Sequence, residues 1–337
     1  MTAVPEITRA QLDSALGLTL TAEQWRAVSA PLRSAVIVAG AGSGKTTSMA
    51  ARVAWLAGSG IVRPDAVLGL TFTSKAAAGL LRSMRSSLQA LDSAGLLAAA
   101  RAAAHAADVE SGLVDDHDAH LDAHLDAHLD ELGEPQVLTY HSFAARIVSE
   151  NAIRLGREPG ATVMSPGLRS QMAYRLVCRT TLPLSTLGKS PVSLASDLLA
   201  LDDELTELAL TPADVRDFDA AMIDYVSGWP KPQVIAQEMR DTSRTRALLA
   251  ELLVEWHADK AAHDLIDFAD QIRLALQLVE EFPEVAAEVR SRFAAVLLDE
   301  YQDTSIAQRR TLQAIFGPQG TAVMAVGDPC QAIYGWR

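Results

Sequence analysis

Only two of the 337 residues are cysteine, Cys178 and Cys330. Two thiols cannot build a disulfide framework or a four-thiolate metal site, and their scarcity fits a reducing compartment. No apolar run reaches the roughly 18 residues that a membrane-crossing helix needs. The opening MTAVPE lacks the basic and apolar regions of a secretory signal, so the expected location is the cytoplasm. Positive charge is also short, with 29 Lys and Arg against 42 Asp and Glu and a formal net charge of −13. Phosphate neutralisation supplies most non-specific nucleic-acid affinity, and this balance alone argues against such a partner. Its distribution alters the reading. The first hundred residues carry nine basic against five acidic side chains, whereas residues 101–150 carry two against eleven. A locally basic surface is therefore compatible with an acidic chain.

What is present is a globular composition, 49% hydrophobic and 21% charged, which excludes a disordered or fibrous chain. At roughly 150 residues per domain it predicts two domains. Residues 35–39 (AVIVA) read as a strand, followed at once by a glycine loop and a helical pattern through Met49, Val53 and Leu56. Residues 67–72 and 137–140 are further short apolar runs, the first followed by a helix over 75–88 and the second by one beginning near Ser142. Residues 294–298 end in Asp299, and residues 321–326 end in Gly327. Five short strands of buried type, most alternating with helices, predict an α/β fold whose parallel sheet holds ligands at the carboxyl ends of its strands.

Residues 86–134 shift towards Ala, Leu, Asp and His and include three tandem Asp-Ala-His-Leu tetrads from Asp118 to Leu129. Helical spacing would align His120, His124 and His128 on one stripe, a known metal-ligand geometry. Such biased repeats more commonly form a solvated helical insertion, and that is the reading taken here. Residues 152–262 are helical in pattern, broken at Pro159, Pro166, Pro183, Pro191, Pro212, Pro230 and Pro232. The expected organisation is an α/β domain over residues 1–151 plus 263–337, interrupted by a mostly α-helical domain over 152–262.

Chemistry concentrates after the strands. Ala39, Gly40, Ala41, Gly42, Ser43, Gly44, Lys45 and Thr46 have the form of a P-loop, with Ala39 where the strict pattern starts on glycine. Gly40, Gly42 and Gly44 free the backbone to turn its N–H groups toward phosphate. Lys45 reaches the β and γ phosphates, and Thr46 offers a hydroxyl to Mg²⁺. A second carboxylate for Mg²⁺ is needed at the end of a later strand, where Asp299 and Glu300 stand. Asp299 would hold the ion through water, and Glu300 would deprotonate the attacking water. Adjacent acids at a strand end also serve as helix caps, and the P-loop is what favours chemistry over capping.

With these two sites in place, the chain resembles the UvrD/Rep-type superfamily 1 DNA helicases in six stretches taken in order. LTAEQW at residues 20–25 is similar to the family's glutamine motif, with Gln24 placed to read adenine; the P-loop, extended by Thr47, follows. TFTSKAA at 71–77 and TYHSF at 139–143 resemble segments that grip single-stranded DNA. DEYQDT at 299–304 is similar to the second nucleotide motif, and VGDPCQAIYGWR at 326–337 to the third. A weaker match, DLIDFAD at 264–270, looks like the point of re-entry into the first domain.

The resemblance implies a RecA-like P-loop sheet, and ATP with Mg²⁺ as cofactors. The implied activity is an ATP-driven 3′→5′ DNA helicase or translocase of the kind that serves DNA repair. It implies that Gln331 senses the γ phosphate and couples it to DNA, and that Phe72, Thr73, Lys75, His141, Ser142, Tyr334, Trp336 and Arg337 contact DNA. Aromatic rings stack on bases at about 1–3 kcal/mol each, which suits Phe72, Tyr334 and Trp336. A lone aromatic otherwise packs in a core, and His141 with Ser142 would equally serve as a helix N-cap pair. A recombinase or transporter ATPase is the competing P-loop class, and a nucleotide-gated binding module without motor activity is a third reading. Cys330 departs from the polar or acidic residue usual in the family. Because the sequence stops at Arg337, just after the third motif, it is expected to lack the second motor domain with its arginine finger. It would then bind nucleotide better than it hydrolyses it.

Overall fold

The computed structural model describes residues 6–97, 133–229, 234–318 and 320–332. The Asp-Ala-His-Leu tetrads and Tyr334, Trp336 and Arg337 lie outside them. The chain divides into two compact units. One comprises Met1–Phe143, Ala286–Thr304 and Gln313–Trp336, and the other is built mainly from Ala144–Val285 with Ser305–Leu312.

The first unit is organised by five parallel strands, β1 (Ala35–Val38), β2 (Val67–Thr71), β3 (Gln136–Thr139), β6 (Ala295–Leu298) and β7 (Ala322–Gly327), in the spatial order β1-β7-β6-β2-β3. The expected α/β class with a parallel sheet is borne out, and all five predicted strands are present. Register pairs Leu70 with Leu298, Thr71 with Thr139 and Val38 with Gly327. Strands β2 and β6 are buried along their whole length. β1 corrects the expectation of a buried strand: it lies at the sheet edge, and Val36 and Val38 face solvent. An apolar run signals a strand but not whether one neighbour or two pair with it, and β1 has β7 alone. Parallel pairing sends all five carboxyl ends to one side of the sheet, so the loops carrying the polar motifs emerge together.

Helix α3 (Lys45–Gly58) follows the glycine loop, and every residue from Ser48 to Gly58 is buried. A helix apolar all round belongs inside a domain. It packs with α1 (Arg9–Leu16), α2 (Ala22–Val28) and α4 (Ser74–Ser93) around Leu12, Leu20, Val53, Trp55, Leu56, Met84 and Leu91. Trp55 Nε1 donates to the carbonyl of Ile7 at 3.0 Å, which satisfies its single polar atom in the core. A side chain at Gly58 would overlap Ile7 and Leu91, and glycine allows that close approach.

Helix α5 (Tyr140–Asn151) begins two residues earlier than its sequence pattern indicated. In the second unit, α6 (Pro166–Arg179), α7 (Pro191–Leu208) and α8 (Pro212–Ser227) each start on a proline that the sequence pattern marks as a break. Proline at the first helical position gives up an N–H that has no partner there anyway. Ser165, Ser190 and Thr211 cap these helices by accepting from backbone N–H groups three residues on. Helix α9 (Val234–Ala262) is the longest among the described residues, followed along the chain by α10 (Phe268–Glu281), α11 (Pro283–Ser291) and α12 (Ile306–Phe316). A two-stranded parallel pair, β4 (Thr162–Val163) with β5 (Leu265–Ile266), is an addition that the sequence pattern does not signal.

The core of the second unit gathers Ala173, Leu176, Leu198, Leu252, Leu253 and Trp256. Beside it lies Lys260, wholly inaccessible to solvent, with its ammonium 2.8 Å from Asp270, 3.1 Å from Asp267 and 3.4 Å from Asp202. Trp256 Nε1 donates to the same Asp202 at 2.9 Å, and His257 Nε2 lies 2.7 Å from its other oxygen. Asp267 and Asp270, from the stretch likened to a re-entry point, form a capping box at the start of α10 within this network.

Candidate nucleotide site

The glycine loop of residues 39–44 connects β1 to α3, and two of its glycines have left-handed backbones, Gly42 at φ +75° and Gly44 at φ +82°. Only glycine adopts these without steric cost, and the turn leaves the N-terminal N–H groups of α3 open to an anion. A Cβ at Gly44 would stand 2.7 Å from Gln24 Nε2. Gln24 is thereby brought against the loop, donating to the Ser43 carbonyl at 3.0 Å while its Oε1 accepts from Thr21 N–H at 2.9 Å. Helix α2, which carries Gln24, is tied to α3 by Arg52. That guanidinium donates to the carbonyls of Val28 and Ala30 at 2.8 Å and of Pro31 at 3.1 Å. Burial pulls the Arg52 guanidinium down to about 10.

Lys45 reaches across the strand ends to Glu300, with Nζ 3.1 Å from Oε2. Glu300 has a left-handed backbone, φ 49° and ψ 41°, a conformation that costs a non-glycine residue about 1 kcal/mol or more and that marks functional turns. Asp299 is buried behind it and accepts from the Thr71 hydroxyl at 3.2 Å. Burial first, and the neighbouring Glu300 second, push the Asp299 carboxyl above its ordinary range, against the opposing Thr71 hydrogen bond. The Asp299 carboxylate and the Thr46 hydroxyl are hard oxygen donors of the kind Mg²⁺ takes. Thr46 and Thr47 are exposed at the start of α3. Among the described residues, no group of three or more His, Cys, Asp or Glu side chains is arranged to hold a metal ion.

The remaining predicted residues fall into two sets. Gln331 stands near Gly40, its Nε2 3.6 Å from where a Cβ would be, and donates to Asp328 Oδ2 at 2.5 Å. Phe72, Thr73 and Lys75 leave β2 at the start of α4, where the Thr73 hydroxyl accepts from Ala76 N–H at 3.1 Å as the helix cap. Phe72 lies against Tyr140, with ring centroids 4.8 Å apart. His141 and Ser142 occupy the first turn of α5, and the capping group is Thr139, whose Oγ1 accepts from Ser142 N–H at 3.0 Å. Of the two readings for this pair, the N-cap one is therefore corrected: helix onset at Tyr140 places the cap one residue before it.

These strand ends and loops fall within one matched region, since the model of the UvrD/REP helicase N-terminal domain covers residues 20–337. The chain belongs to that family. DNA helicase II of Haemophilus influenzae is 27% identical over 318 residues, 94% of this chain and 35% of the relative. ATP-dependent DNA helicase UvrD2 of Mycobacterium tuberculosis is 30% identical over 320 residues, with 93% and 37% covered. ATP-dependent DNA helicase PcrA of Staphylococcus aureus is 28% identical over 323 residues, with 94% and 34% covered. The chain spans about a third of the length of these relatives.

Within this UvrD/REP domain, side chains to which the sequence reading assigns no role complete the site. Thr71 holds Asp299, and Tyr140 OH lies 3.4 Å from the Asp299 carbonyl. Burial pushes the Tyr140 phenol well above its usual range, so it stays a neutral donor. Gln302 Nε2 donates to Glu300 Oε2 at 2.7 Å. Asp328 accepts from Cys330 N–H at 3.0 Å, so Cys330 contributes its backbone to the turn while its thiol remains exposed. Identity alone flags neither the Thr71 nor the Tyr140 contact, because each joins residues from different strand ends.

Proposed function

We propose that this chain is the first motor domain of an ATP-driven 3′→5′ DNA helicase or translocase. On this reading residues 1–151 and 263–337 form the RecA-like motor domain and residues 152–262 its helical insertion. The P-loop cradles the phosphates, with Gly40, Gly42 and Gly44 shaping the backbone, Lys45 on the β and γ phosphates and Gln24 at the adenine. Thr46 and Asp299 would hold Mg²⁺, the latter partly through water, and a bound ion would supply charge neutralisation at the transferred phosphate. Glu300 accepts the proton of the attacking water, and Gln331 contacts the γ phosphate. Phe72, Thr73, Lys75, His141, Ser142, Tyr334, Trp336 and Arg337 line the path of single-stranded DNA.

The observation that carries this reading is the meeting of Lys45 and Glu300 at the carboxyl edge of a parallel sheet, beside the buried Asp299. In the absence of nucleotide the ammonium neutralises the base. A γ phosphate competes for Lys45 and frees Glu300 for water, so the base becomes available only when substrate is present. The relatives' names, all DNA helicases, support the substrate class. Calorimetric titration with Mg·ATP and anisotropy with a labelled single strand test the reading. Expected are saturable binding of both, DNA affinity that falls with rising salt, and further loss on Trp336→Ala. Absence of Mg·ATP binding would overturn it, and nucleotide binding without DNA binding at low salt would favour another P-loop class.

A further inference from the structure

Gln302 lies between the two nucleotide motifs of the first unit and touches both. Its Nε2 donates to Glu300 Oε2 at 2.7 Å, and its Oε1 accepts from Asp328 N–H at 3.1 Å. Glu300 in turn is held by Lys45 at 3.1 Å, while the Asp328 carboxylate accepts from Gln331 Nε2 at 2.5 Å. The result is a continuous run of polar contacts, Lys45–Glu300–Gln302–Asp328–Gln331, across the ends of β1, β6 and β7. The amide cannot be turned over, because its NH₂ would then face the N–H of Asp328 and its oxygen the carboxylate of Glu300. Gly327 is pressed against the same amide, and any Cβ there would overlap Gln302 Oε1. The space at Gly327 is thus kept for one side chain.

We infer that Gln302 is the positioning residue that transmits the nucleotide state from Glu300 to the Asp328–Gln331 turn and so links ATP occupancy to DNA affinity. This rests on the motor-domain reading above and adds to it the residue through which the two sites communicate. Either a phosphate drawing Lys45 away or a shift of Glu300 changes the partner of Gln302 Nε2. The fixed amide passes that change to the Asp328 N–H, and Gln331 follows through the Asp328 carboxylate. Linkage requires the effect to be reciprocal, with DNA changing nucleotide affinity by the same factor.

The experiment measures the dissociation constant of a fluorescein-labelled oligo-dT with and without a non-hydrolysable Mg·ATP analogue, on the full 337-residue chain. The parent is expected to change affinity by about 5-fold or more on adding nucleotide, within the usual range of coupling between sites. In Gln302→Met, which keeps the volume and removes both hydrogen bonds, that ratio falls to within about 2-fold of unity. The readout is this ratio and not either affinity alone, because a uniform loss of nucleotide or DNA binding leaves it unchanged. Gly327→Ala, which displaces the amide by crowding, lowers the ratio as well, and the double variant is no worse than either single one. Melting curves identify any variant that fails to fold, and the remaining variant then carries the test. Coupling retained in a folded Gln302→Met or Gly327→Ala would overturn the inference, as would independent, additive losses in the double variant. A parent that binds both ligands without coupling would overturn it too and leave the nucleotide-site reading standing. A parent that binds neither ligand would overturn the motor-domain reading itself.

Discussion

Lys45 and Glu300 are 255 positions apart in the chain, and their side chains meet at 3.1 Å. Lys45 is nearly buried and Glu300 is partly exposed, so the pair is accessible from one side, where a phosphate would arrive. The contact ties the start of α3 to the end of β6.

Lys45→Ala is expected to weaken Mg·ATP binding by about 100-fold, close to 2.7 kcal/mol at a tenfold change per 1.4 kcal/mol. It deletes the side-chain charge on the phosphates and touches no core residue. Calorimetry reads the change, and undiminished affinity would refute the P-loop assignment.

Glu300→Gln separates binding from chemistry. The amide keeps the shape of the side chain and removes only its basicity, so Mg·ATP affinity is retained. Wherever the parent hydrolyses ATP, the rate constant falls by about 10²–10⁴. Single-turnover hydrolysis checks this, and a parental rate would assign Glu300 a purely structural role.

Asp299→Asn is expected to stabilise the fold while abolishing its dependence on Mg²⁺ for nucleotide binding. The Asp299 carboxyl is raised in the native state by burial and by Glu300. A raised folded value means that its charge burdens the native state above that value, and that the burden vanishes below the unfolded value. The gain is therefore present at pH 7 and disappears near pH 3. Differential scanning calorimetry should show a rise of about 2–4 °C per kcal/mol recovered at neutral pH and no rise in acid. An equal rise at both pH values would contradict the electrostatic cause.

Lys260→Met in the second unit should cost about 3–5 kcal/mol, because it leaves Asp202, Asp267 and Asp270 buried around an uncharged side chain. Burial pushes Asp202 up, but His257 and Lys260 outweigh it and hold the carboxyl well below the usual range. Its contribution is present above the unfolded value and is lost as pH falls, so the parent but not the variant should lose this increment on acidification. Urea unfolding across pH measures both effects, and a variant as stable as the parent would show the network to be dispensable.

The strands, the glycine loop and the order of the motifs were legible in the sequence because each depends on neighbours along the chain. An apolar run bounded by glycine or acid reads as a strand, and GSGKT needs only its own spacing to read as a tight glycine turn before a helix. Prolines were legible as breaks, although it took the structure to show Pro166, Pro191 and Pro212 opening helices. The β4–β5 pair escaped because two residues show no periodicity, and Thr139 escaped because the onset of α5 depends on where β3 ends.

Residue types by themselves determined which groups this protein has to offer: a lysine and a hydroxyl after a glycine loop, two acids after a strand, aromatics beside polar motifs. Only the tertiary structure decided which atoms meet. It set Glu300 in a left-handed turn against Lys45, placed Gln302 between Glu300 and Asp328, and buried Lys260 among three carboxylates. The physical reason is that parallel pairing aligns the carboxyl ends of strands remote in sequence, and a polar group buried there takes its partners from whichever strand end lies within about 3 Å.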